Sequence, residues 1–143
     1  MRATLNRLLA IVALSICVPA GAQAQSMPWV EQDKLNDAMA PFFEKWMEPS
    51  RLAVRIENGR AEYRMDWKED TGPFSFNVYA TKSRAEADEL IQFHAEAENL
   101  LGGPSRLCLH KFARAQDGAK EYFLLYLVDD EQSGLRCITL PQK

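Results

Sequence analysis

Residues 120–128 read Lys-Glu-Tyr-Phe-Leu-Leu-Tyr-Leu-Val. A strand with one wet face alternates apolar and polar side chains, but here both alternate sets are apolar: Phe123, Leu125 and Leu127 on one side, Tyr122, Leu124, Tyr126 and Val128 on the other. Such a segment has to be covered on both faces. Aromatic and β-branched content favours strand over buried helix, and turn signals bracket the run, Asp117-Gly118 before it and residues 129–134 after it. The stretch predicts the middle strand of an antiparallel sheet.

Its predicted neighbour is the strand at 106–114. A two-residue turn at Asp117-Gly118 sets Gln116 opposite Ala119, hence Phe112 opposite Phe123, His110 opposite Leu125 and Cys108 opposite Leu127. Residues 135–140 form a last strand. A simple meander of these three would hold Cys108 and Cys137 about 10 Å apart, too far for a disulfide. We therefore expect the last strand to cross over or to pair elsewhere, the far side of the 106–114 strand being one such place.

Further out, residues 51–57 alternate cleanly and end at Asn58-Gly59, the dipeptide a type I′ hairpin turn favours. With Glu57 opposite Arg60, the inward pairs are Ile56 with Ala61, Val54 with Tyr63 and Leu52 with Met65. The outward pairs Glu57 with Arg60, Arg55 with Glu62 and Arg51 with Asp66 join opposite charges; Ala53 with Arg64 is the exception. A third strand is expected at 74–80, with Phe74, Phe76 and Val78 inward.

Two helices complete the pattern. Leu35, Met39, Phe42 and Trp46 recur at helical spacing, widened by Phe43 and Met47, with a kink expected at Pro41 and an end at Pro49. Ser83-Arg84-Ala85-Glu86 is a capping box opening a helix toward Leu101, with Ala87, Leu90, His94, Ala97 and Leu101 as its stripe. The whole reads as α+β, an antiparallel sheet of about six strands with two helices packed on it, in the order α-β-β-β-α-β-β-β.

Residues 1–24 stand outside this fold. Arg2 and Arg7, the apolar run 8–18 and Ala22-Gln23-Ala24 have the three parts of a secretory signal peptide, with cleavage expected near Ala24. Cys17 follows a run that resembles a lipobox, but bulky Ile16 departs from that pattern. Residues 25–143 are then a single domain in the periplasm or outside the cell. Removing Arg2 and Arg7 leaves 15 of the 17 basic residues against 20 acidic ones, a net charge near −5, which disfavours nucleic acid and anionic lipid as partners. No later stretch is apolar enough to span a membrane. In an oxidising compartment the two remaining cysteines, Cys108 and Cys137, are expected to form a disulfide worth about 3 kcal/mol.

Chemistry-bearing patterns are sparse. His94 and His110 are the two histidines; with Cys108 and Cys137 they could supply four metal ligands, but in no tight metal-binding spacing, so no metal site or cofactor is expected. Nucleophile elbow, zinc-protease helix and phosphate loop are all missing, and no enzyme is predicted. The last hairpin has surplus apolar surface, which either the chain folds over to cover, with the Trp29 segment and the three-strand unit available, or another protein covers. On the second reading Leu107, Leu109, Tyr122, Leu124 and Tyr126 are the candidate interface of a non-enzymatic protein that binds another macromolecule or a second copy of itself, in the manner of inhibitors, immunity proteins or envelope-assembly factors. A periplasmic small-molecule or metal binder is the alternative, with His94, His110 or the tryptophans lining its pocket.

Overall fold

A computed structural model of the chain describes residues 24–69, 76–96, 107–129 and 140. The leader with Cys17, residues 135–139 including Cys137, and Phe74, Ala97 and Leu101 lie outside the described residues. The described strands form two three-stranded antiparallel sheets. In the first, β3 (Arg60–Glu69) is flanked by β1 (Gln25–Ser26) and β2 (Met47–Glu57). In the second, β6 (Lys120–Asp129) lies between β4 (Phe76–Thr81) and β5 (Leu107–Asp117). Helix α1 is Leu35–Phe43, entered through a 3-10 turn at Gln32–Lys34, and α2 is Arg84–Glu96.

The first hairpin has the register its charges predict. Asn58 and Gly59 both have positive φ, 50° and 73°, as a type I′ turn requires. Ile56 faces Ala61, Val54 faces Tyr63, Leu52 faces Met65, and Arg55 bonds Glu62 at 2.6 Å. The strand starts earlier than Arg51, at Met47, because a bulge absorbs Ser50 and lets Pro49 sit in the ladder opposite Trp67.

The strand expected after this hairpin, β4, lies in the second sheet and pairs with β6, which thus has a strand on each edge. Two expectations fail. The second hairpin is two residues out of the expected register, with Gln116 opposite Glu121 and Phe112 opposite Leu125. Gly118 alone has positive φ there, 57°, so the turn residues are Gly118 and Ala119. A bulge at His110 then reverses the alternation, placing Cys108 opposite Val128 and Leu109 opposite Leu127. The other failure is the amino-terminal stripe. Helix α1 ends at Phe43, two residues past Pro41, and Trp46 leaves the apolar face altogether.

Central strand β6 is covered on both faces, as its sequence demands. On one, Leu124 joins Met27, Leu35, Met39, Met47, Tyr63, Met65 and Trp67 in a core between the sheets and α1. On the other, Phe123, Leu125 and Leu127 join Leu109, Leu140, and Ala87 and Ile91 of α2. Ile91, not His94, is the second buried turn of that helix. Ser83 Oγ accepts from the Glu86 amide at 3.1 Å, while the Glu86 carboxylate accepts from Lys82 N at 2.7 Å, one residue earlier than a standard capping box.

The two bulges meet where β2 runs beside β5. Displacing Ser50 frees the Pro49 and Ser50 carbonyls, and Lys111, brought inward by the His110 bulge, donates to them at 2.9 and 3.2 Å while lying over the Tyr126 ring. Desolvation lowers the Lys111 pKa, with Glu48 opposing and Lys68 assisting. Lys111 thus staples the two sheets together where β2 meets β5.

Candidate functional site

Three of the proposed interface residues of the last hairpin are buried: Leu124 is 0%, Tyr126 2% and Leu109 6% exposed, while Tyr122 is half-buried and the Leu107 side chain lies outside the described residues. The chain's own first sheet and α1 pack on one face of β6 and α2 on the other, so Leu109, Leu124 and Tyr126 are not available at the surface. Cys108 is buried. His94 and His110 lie on opposite faces of the second sheet, His94 against Tyr79 and His110 against Tyr126. No group of three or more His, Cys, Asp or Glu among the described residues is arranged to hold a metal ion.

What the surface does display is an apex between α1 and β2. The chain leaves α1 through Glu44, Lys45 and Trp46, and Trp46 has a φ of 54° with 82% of its surface exposed. Left-handed backbone costs a residue with a β-carbon about 1–2 kcal/mol, and an exposed indole leaves a large apolar area in water. Phe43 beside it is also exposed, but its ring edge rests on Trp67 at 5.4 Å and it touches Phe76 at 5.7 Å, so the apex is anchored on the first core. Lys45, Glu44 and the Glu48–Lys68 ion pair, at 2.6 Å, supply charged surroundings. Sequence spacing hid this feature, because Trp46 falls on the helical stripe of Leu35, Met39 and Phe42.

A second feature lies between β4 and α2, where Tyr79, Glu86, Glu89, Leu90, Phe93 and His94 line an open cleft of about 410 Å³. Phe93 is 61% exposed. His94 Nε2 lies 3.2 Å from Tyr79 Oη, and burial lowers the His94 pKa from the ordinary imidazole value. Tyrosine and histidine fix each other in this arrangement, and Glu86 is committed to the helix cap.

The third feature is on the outer face of the first sheet. Trp29 lies across it, with the Arg55 guanidinium 4.5 Å and the Arg64 guanidinium 5.9 Å from its ring centre. A dent of about 180 Å³ lies beside it, lined by Trp29, Arg51, Ala53, Arg64 and Asp66. The one outward pair without charge complementarity, Ala53 with Arg64, is thus the pair beside which the indole rests.

Among the described residues no helix is long and apolar enough to cross a membrane. Comparison of the chain with protein-family models, with curated proteins and with solved structures found no match.

Proposed function

We propose that this chain is an exported, non-enzymatic protein of the periplasm or extracellular space that acts by binding another protein, in the manner of an inhibitor, immunity or envelope-assembly factor. The observation that carries this reading is Trp46, held in left-handed backbone and 82% exposed at the tip of a turn. Strain of this kind persists only where the surroundings fix it, and it concentrates at working sites. An exposed tryptophan flanked along the chain by Glu44, Lys45 and Glu48 has the composition of an interface anchor, so the partner offers a concave apolar pocket with a polar rim. Export rests on the leader at residues 1–24, and a disulfide between Cys108 and Cys137 would suit the oxidising compartment it leads to.

Substitution Trp46→Gly separates binding from folding, because glycine adopts the positive φ without strain. The variant should melt no lower than the parent. Its affinity for a partner isolated from an envelope extract and purified should fall by about 30-fold or more, the loss expected for an anchor worth ~2 kcal/mol. Unchanged affinity in Trp46→Gly contradicts the proposal, as does a parent chain that stays a lone monomer with every envelope component at micromolar concentration. A homodimer dispersed by the same substitution would reassign the apex to self-association. The cleft of about 410 Å³ beside Tyr79 and Phe93 favours the second reading, a periplasmic small-molecule binder.

A further inference from the structure

Around Trp29 the outer face of the first sheet carries three guanidinium groups, Arg51, Arg55 and Arg64, and two carboxylates, Glu62 and Asp66. Arg55 is engaged by Glu62 at 2.6 Å, and Arg64 by Asp66 at 3.7 Å. Asp66 also accepts the Ser26 hydroxyl at 2.5 Å. Arg51 faces Asp66 in the register, yet it has no ion-pair or hydrogen-bond partner among the described residues, and the Ser26 and Arg64 contacts of Asp66 both fall on its Oδ1. One cation is left over, and it borders the dent.

The walls of that dent are unlike the rest of the face. Ala53 offers a small apolar residue between two arginines of β2, and the Trp29 indole, held by Arg55 and Arg64, provides a flat apolar wall. A longer side chain at position 53 would fill the space. We propose that the dent binds a small organic carboxylate, whose charged group pairs with Arg51 and whose ring or short chain lies on Ala53 against Trp29. A single carboxylate balances the local excess charge, and guanidinium matches its two oxygens in a planar fork. A volume of about 180 Å³ is below the ~300–1,000 Å³ of pockets that take drug-sized ligands, which selects a compact molecule over a nucleotide or a peptide. This site lies on β2 and β3 and does not depend on the Trp46 apex.

The test uses benzoate as the probe and the indole N–H resonances of the full folded domain as the readout. Benzoate should shift the Trp29 indole signal saturably and leave Trp67 unmoved, whereas neutral benzamide and inorganic phosphate should not. Arg51→Gln removes the charge and Ala53→Leu fills the dent; each should weaken benzoate by about tenfold or more. Both positions point away from the core, and an unchanged spectrum elsewhere verifies that each variant is folded. No saturable shift with benzoate, an equal shift with benzamide or phosphate, or undiminished binding in Arg51→Gln would each overturn the assignment.

Discussion

The two faces of β6 are buried by differently built cores. Every methionine after Met1 is in the first, Met27, Met39, Met47 and Met65, together with Trp67 and Tyr63. No methionine is in the second, which is made of Ala87, Ile91, Leu109, Phe123, Leu125, Leu127 and Leu140. The geometry accounts for the difference. The first core fills the irregular space between two bulged sheets and a short helix, where an unbranched, flexible side chain adapts to the gap. In the second, helix α2 lies against the other face of the second sheet, and branched aliphatic side chains interdigitate there. Burial of both faces of one strand therefore does not imply equal tolerance to change on the two sides.

The largest test of that contrast is Trp67, fully buried, with Phe42 stacked on it at 4.8 Å. Trp67→Ala should cost about 3–5 kcal/mol in urea unfolding. Trp67→Phe should cost less than half as much, because the indole Nε1 has no hydrogen-bond partner among the described residues, and removing a buried unpaired donor returns ~1–3 kcal/mol. Equal losses would mean that the indole N–H is satisfied.

A finer test exchanges the chemistry of the cores. Met39→Leu in the first should cost under about 0.5 kcal/mol, while Leu125→Met in the second should approach the ~1.5 kcal/mol ceiling of a volume-conserving swap. The reverse ranking would remove the distinction between adaptable and interlocked packing.

The smallest effect at neutral pH belongs to Tyr63. Its hydroxyl reaches the Thr81 carbonyl only at 3.5 Å, so Tyr63→Phe should cost below about 1 kcal/mol at pH 7. Burial, helped by Tyr122 and Glu86, pushes its phenol up to about 12 from 10.0. The folded protein holds this proton more tightly than the unfolded chain, so the associated stability is complete below pH 10 and drains as pH rises toward 12. Parent and Tyr63→Phe melting profiles should converge over that window.

How far the sequence revealed this molecule follows from where local signals were strong. Asn58-Gly59 with facing charges fixed one hairpin pair by pair. In the other, Asp117 and Lys120 were available as an opposite-charge pair adjoining Gly118, and that pairing is the true register. The misreading at Gln116 slipped the strands by two, which preserves faces. The His110 bulge does not preserve them, and no residue pattern announced it. Assignment of β4 to the second sheet depends on contacts some fifty residues away in sequence, which local pattern cannot express. Trp29 and Trp46, the aromatics of the candidate sites, were visible only as tryptophans, since a stripe and a lead segment gave no sign of which would be left in water. Covering both faces of β6 with the chain itself was the alternative to an interface, and that alternative removed Leu124, Tyr126 and Leu109 from the surface.

Native-state hydrogen exchange of the β6 amides tests the architecture most directly. If the chain's own layers seal both faces of the strand, the amides of residues 123–127 in a monomeric sample should exchange only through global unfolding, at a rate independent of protein concentration. Faster exchange there than in α2 or β3, or protection that rises with concentration, would mean that one side of the strand waits for another molecule to cover it.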